Sequence, residues 1–221
     1  MARFEVIDHE GVSFLKVTLD KETIRAERGA LCYLFGDIEV DAKVPSVGRA
    51  IKRLLAHESV IWPSYTGSGT VYLESSLESF HVFDLNDTAW ILNRGSYWAS
   101  EGSVELGLHR ETLLTSYFGG EGLIELHTKV SGRGKVVLRA WGPVEEVALN
   151  DEQLVADGRY VLARTADVRY RVKVAARSVV AHWLSGETRL RVYEGTGRLL
   201  LASYPFWRTA LLDAIRKKRL P

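Results

Sequence analysis

A pattern of about 65 residues runs through this chain three times, and any fold proposed for it has to hold three similar units. Leu19-Asp20, Leu85-Asn86 and Leu149-Asn150 open the copies, at steps of 66 and 64 residues. A glycine follows nine or ten residues later, at Gly29, Gly95 and Gly158. A glutamate recurs at Glu58, Glu121 and Glu187. Each copy then reaches a Gly-x-Gly-x-(Val/Leu)-x-Leu stretch: Gly67 to Leu73, Gly132 to Leu138 and Gly195 to Leu201. These are residues that shape backbone rather than residues that do chemistry.

The segments around the landmarks read as strands. Phe14 to Leu19 and Val136 to Trp141 are rich in β-branched, aromatic and aliphatic residues, and Val168 to Val174 alternates strictly between apolar and charged. Glu10-Gly11, Glu27-Arg28-Gly29, Asn86-Asp87, Asn93-Arg94-Gly95, Asn150-Asp151 and Asp157-Gly158 tolerate the positive φ that tight turns require. Two stretches read as helices: Ser46 to Leu55, with a possible counterpart at Glu111 to Phe118, and the tail from Phe206 to Leu220 behind Pro205. The expected fold is all-β. Three tandem sandwich-like or barrel-like repeats make one pseudo-threefold body with short corner helices and a C-terminal helix. Residues 1–66, 67–131 and 132–204 are the three repeats, the last including a closing strand, and 205–221 is the basic amphipathic tail. Arg3 to Ile7 and Gly195 to Leu201 are expected to pair or lie close, which would hide two open sheet edges.

Charge and cysteine content narrow the function classes. Lys plus Arg is 29 against Asp plus Glu 28, so no overall field draws in nucleic acid. Cys32 is the only cysteine, which rules out an intramolecular disulfide and a thiolate metal cage. No stretch approaches the roughly 18 apolar residues of a membrane span, and Met1 to Val6 opens no apolar signal core, so a cytoplasmic protein is expected.

The reactive motifs looked for are missing. The histidines at 9, 57, 81, 109, 127 and 182 form no His-x-His and no His-Glu-x-x-His. His57-Glu58 is the nearest to a reactive pair, yet the repeat equivalents are Gly120-Glu121 and Gly186-Glu187. Glu58, Glu121 and Glu187 could gather a hard cation on a threefold axis; the plainer reading has each accept hydrogen bonds from turn amides. The Gly-x-Gly stretches and Gly119-Gly120-Glu121-Gly122 lead into strands and lack the Gly-Lys-Ser/Thr of a phosphate loop, so they read as turns or bulges. No Gly-x-Ser-x-Gly elbow occurs. Trp62, Trp90, Trp98, Trp141, Trp183 and Trp207 could stack bases, but in a finely mixed charge background they read as packing. In the tail, Leu211, Leu212 and Ile215 form an apolar stripe beside Arg216-Lys217-Lys218-Arg219, fit to dock on the protein itself, on a partner or on a membrane surface.

Leu19 to Ala30, Tyr117-Phe118-Gly119-Gly120-Glu121-Gly122-Leu123 and the following Gly132-x-Gly134-x-Val136-x-Leu138 resemble a widespread family of prokaryotic proteins. Its eukaryotic members are called mitochondrial-biogenesis or altered-inheritance-of-mitochondria proteins. The resemblance implies an all-β fold similar to the tryptophan RNA-binding attenuation protein, a homo-oligomer and no known enzymatic activity. Cys32 and Phe35 depart from the family pattern. The expected function is a non-catalytic, homo-oligomeric scaffold or interaction protein without cofactor or metal. An RNA- or small-ligand-binding module is the first alternative, with nucleic acid unfavoured. An enzyme with a dispersed site is the second.

Overall fold

The computed structural model describes residues 1–10, 12–42, 62–76, 79–113, 123–140, 142–158, 160–173 and 190–202. All regular structure among them is β. The strands form two antiparallel seven-stranded sheets, and the chain divides correspondingly into two compact units.

Sheet 1 contains β1 (Arg3–His9), β2 (Val12–Ala26), β3 (Leu31–Asp41), β4 (Ser64–Ser76), β5 (Ser79–Asn86), β7 (Tyr97–Glu101) and β10 (Arg133–Ala140). Its order is β3-β4-β2-β7-β10-β5, with β1 also on β2. Sheet 2 contains β6 (Trp90–Leu92), β8 (Glu105–Leu113), β9 (Leu123–Ser131), β11 (Val144–Asp157), β12 (Val161–Thr165), β13 (Arg169–Lys173) and β14 (Leu190–Ala202). Its order is β11-β14-β12-β6-β9-β8, with β13 also on β14.

The repeated Leu-Asx pairs have a shared structural meaning. Lys21, Asp87 and Asp151, each directly after its pair, hold φ of 53°, 58° and 60°. In β2 the buried side chains are Ser13, Leu15, Val17 and Leu19, then Ile24 and Ala26, so the inward parity changes from odd to even. The register with β4 shifts at the same place, from Leu19 opposite Gly69 to Glu22 opposite Gly67. One extra residue in the left-handed region resets which face each later side chain takes. The β11–β14 ladder shifts likewise, between Asn150 and Glu152, opposite Thr196 and Gly195. In the second copy Asp87 N–H donates to the Gly132 carbonyl at 3.1 Å. Each bulge therefore lies against a Gly-x-Gly stretch.

The turns after the bulges repeat as well. Ala30 N–H bonds the Glu27 carbonyl at 3.1 Å, Ser96 N–H that of Asn93 at 3.1 Å, and Tyr160 N–H that of Asp157 at 3.0 Å. Gly29 and Gly95 hold the expected positive φ, 81° and 75°. Gly158 does not; a Cβ there would meet the Arg191 side chain, which would have to move aside.

Leu15, Val17, Leu19, Ile24, Tyr65, Val71, Leu73, Trp98 and Val137 make the sheet 1 core, and Leu149, Val161, Val168, Tyr193 and Leu199 a core in the second unit. Burying each large apolar side chain stabilises by about 1.5–3 kcal/mol.

Two expectations are corrected. β1 pairs with β2 in sheet 1, and β14 pairs with β11, β12 and β13 in sheet 2, so the terminal strands do not pair with each other. Their apolar periodicity suits any antiparallel neighbour, and β1 takes the nearest one through a tight connection. Residues 111–113 complete β8, so no helical turn starts at Glu111. The Ser46–Leu55 helix, residues 114–118 and the tail from Phe206 lie outside the described residues.

Candidate functional site

The outward side of sheet 1 carries a ladder of aromatic rings. In β3 the side chains of Leu34 and Ile38 pack on the core. Period two then turns Tyr33 and Phe35 outward, with exposures of 48% and 64%; Leu31, 36% exposed, lies across a register shift, opposite the buried Leu73. Tyr33 lies opposite Tyr72 of β4, Tyr72 opposite Lys16 of β2, and Lys16 opposite Glu5 of β1. The Tyr33 and Tyr72 rings stack at 4.5 Å, Phe35 meets Tyr33 edge-on at 5.6 Å, and Phe14 lies 6.3 Å from Tyr72. Such pairs contribute about 0.5–1.5 kcal/mol each beyond their buried area. Beside them Gly36 and Gly69 face each other, and a Cβ on either would strike the opposite backbone.

Charge around the ladder is net negative. Glu5 holds Lys16 at 3.2 Å and Arg3 at 2.6 Å. The second half of β3 continues as Asp37, Glu39 and Asp41. A flat apolar surface bordered by carboxylates, on the end strand of a sheet, is suited to holding another protein surface or an extended strand.

Three ionisable groups stand out elsewhere. In sheet 2 the buried Arg164 donates to the Val168 carbonyl and to Glu111 Oε2, while His109 Nε2 lies 3.0 Å from the same oxygen. Burial pushes the Arg164 guanidinium below its usual value, opposed first by the Glu111 carboxylate. Its carbon also lies 5.2 Å from the Tyr170 ring centre. In sheet 1 burial pushes the Glu27 carboxyl up to about 7, against Arg139 and a backbone hydrogen bond from Arg28. Arg139 itself sits over Trp98 at 4.8 Å. Glu101, also buried, accepts the Lys135 N–H at 2.9 Å on Oε2.

The Glu101 bond explains a Gly-x-Gly. A Cβ on Gly134 would strike Ser103 and Glu101, and one on Gly197 would strike Thr165 and Val168. The glycines make room for a turn, closed by Val104 N–H to Glu101 O and by Val168 N–H to Thr165 O at 3.1 Å each. The turn's first side chain then accepts the next amide: Lys135 N–H to Glu101, and Arg198 N–H to Thr165 Oγ1 at 3.0 Å. Turn chemistry, not a phosphate cradle, occupies these positions. Among the described residues no three His, Cys, Asp or Glu side chains gather as a metal site.

The profile of the mitochondrial biogenesis AIM24 family matches residues 4–204. This chain belongs to the AIM24 family. A Streptococcus pyogenes (serotype M6) protein named only as uncharacterized is 20% identical over 206 residues, covering 87% of this chain and 82% of that one. The crystal structure of another S. pyogenes protein, a structural-genomics target, superposes with a TM-score of 0.72 at 15% identity over 98% of this chain and 99% of that one. The likeness supports the fold alone.

For this AIM24 family member, several sequence-derived candidates can be placed. His57, Glu58, Glu121, Glu187, Trp141, Trp183, Trp207 and Gly119 to Gly122 lie outside the described residues. Trp90 and Trp98 are buried, and Trp62 meets Tyr97 edge-on at 6.2 Å, so these three pack rather than stand as platforms. His81 stacks on Phe83 at 6.2 Å, and His127 is buried. The exposed aromatics are instead Tyr33 and Phe35, which motif reading passed over. Their signal was present: Leu31-Cys32-Tyr33-Leu34-Phe35 is apolar on both parities, the pattern of a strand buried on two sides. It coincides with Cys32 and Phe35, where the family pattern breaks, and Cys32 is also exposed. Among the described residues no helix is long and apolar enough to cross a membrane.

Proposed function

We propose that this protein is a non-catalytic, homo-oligomeric scaffold or interaction module of the cytoplasm. The observation that carries the reading is the concentration of exposed apolar side chains in the first half of one strand: among the described residues, Leu31, Tyr33 and Phe35 all lie on β3. Contiguous exposed apolar surface marks interaction sites. Supporting it, the polar side chains at the repeated turns, Glu101 and Thr165, hold backbone amides. The recurrence of bulge, turn and Gly-x-Gly supports a three-repeat body with pseudo-threefold character, similar in fold to the tryptophan RNA-binding attenuation protein. The basic C-terminal tail, read as an amphipathic helix, is a second contact for a protein partner or membrane.

A ligand- or RNA-binding module is the competing reading, favoured by the stacked Tyr33 and Tyr72 rings. Against it, Lys16 and Arg3 are already paired with Glu5, and β3 adds three carboxylates. Light scattering with native mass spectrometry on one sample separates the two. A defined multiple of the 24.8 kDa chain with no extra mass is the expected result. A monomer, or added mass from nucleic acid or a small molecule, overturns it.

A further inference from the structure

Both sheets end in a long strand, and the two ends are built differently. β11, at the end of sheet 2, carries Glu145, Glu146, Asp151, Glu152 and Asp157 along its length. Charges so placed keep an open strand from pairing with another molecule. β3, at the end of sheet 1 among the described residues, carries neither charge nor proline from Leu31 to Gly36, and its one irregularity is the register shift with β4 between Leu31 and Tyr33. Its first half offers Leu31, Tyr33 and Phe35 to solvent, while its second half, Asp37 to Asp41, is purely acidic on the same parity.

That uneven strand selects its own partner geometry. Self-pairing centred in the second half would set carboxylate against carboxylate, which is destabilising. Antiparallel self-pairing centred near Tyr33 sets Tyr33 against Tyr33 and brings Phe35 of each copy diagonal to Tyr33 of the other. Apolar meets apolar on both sides of the two-fold, and the acidic halves are carried away from each other.

We infer that β3 pairs antiparallel with β3 of a second copy of this chain, centred near Tyr33, and so joins two copies of sheet 1 edge to edge. The inference rests on the homo-oligomeric reading and names its interface. Each copy contributes unpaired backbone groups along one edge, and the aromatic ladder continues across the join.

Cys32 supplies the test, because it is the chain's only cysteine and is exposed. In this pairing the two Cys32 residues are diagonal neighbours, about 7–8 Å apart. That separation is long for a direct disulfide but within reach of a short bismaleimide. The full-length protein should therefore cross-link into a covalent dimer. Phe35→Glu should abolish that product and lower the native mass about twofold, whereas Val155→Glu on β11 should change neither. An oligomeric wild type that does not cross-link at Cys32 overturns this interface and leaves the homo-oligomer standing. So does a Phe35→Glu variant that keeps its full mass. A wild type that is monomeric at every concentration overturns both. Co-purifying nucleic acid that disappears with Phe35→Glu would also overturn the inference, by giving the aromatic face another occupant.

Discussion

At the residue scale the sharpest handle is Glu27, whose carboxyl is pushed by burial up to about 7 from an ordinary 4.5. A carboxyl that binds its proton more tightly when folded stabilises the fold fully below its unfolded value. That contribution is lost as pH rises through the folded value. Stability of the wild type should therefore fall between about pH 4.5 and 7 through this group. Glu27→Gln should flatten that part of the profile, read by urea unfolding across the range. An unchanged slope would mean the carboxyl is better solvated than its surroundings indicate. The glycines give a graded comparison. Gly29 has open space around its Cα and only the cost of positive φ, so Gly29→Ala should lose about 1–2 kcal/mol. Gly67→Ala places a Cβ against the backbone carbonyl of Asp37 and should cost clearly more, since two paired strands must part. Equal costs would show that the β3–β4 approach is softer than its geometry.

At the element scale, the bulge at Lys21 decides which side of β2 faces the core. Deleting Lys21 forces a one-residue slip, turning either Leu15, Val17 and Leu19 or Ile24 and Ala26 outward. Cooperative unfolding should be lost, while Lys21→Gly, which keeps the count and relieves the left-handed strain, should hold or slightly raise stability. A folded deletion variant would show that β2 has no fixed register. In β12, removing the carboxylate from the buried Arg164 by Glu111→Ala should cost about 3–5 kcal/mol in chemical denaturation, because the guanidinium is left without its charged partner. These elements also mark how much the sequence disclosed. Strands came through where β-branched and aromatic residues cluster, as in Phe14 to Leu19, or where alternation is strict, as in Arg169 to Lys173. The Leu-Asx and glycine landmarks came through because positive φ and close backbone approach restrict residue choice. The pairing partners did not, because the apolar parity of Arg3 to Ile7 fits any antiparallel neighbour equally. The face of β3 did not either: an apolar strand reads as buried on both sides, and only the surrounding structure shows Tyr33 and Phe35 exposed among the described residues.

At the scale of the whole molecule the two units are interleaved along the chain. The first unit takes residues 1–87, 97–105 and 132–139, and the second takes 88–96, 106–131 and 140–221. Its β6, only three residues long, lies between β12 and β9, which come from distant parts of the sequence. Sheet 1 likewise seats β10 between β7 and β5. Non-local pairing of this kind ties the folding of each sheet to segments on both sides of the other. A fragment ending at residue 131, at the close of the second sequence copy, would lack β10 and leave sheet 1 without the strand that joins β5 to the rest. It would also strand β6, β8 and β9 without β12. That fragment should show no cooperative melt. In the full chain, hydrogen exchange should release the amides of β2 and β14 with one common opening energy. A cooperatively folded 1–131 fragment would establish that the sequence copies are autonomous folding units, and that the exchange of strands between sheets is incidental to stability rather than its basis.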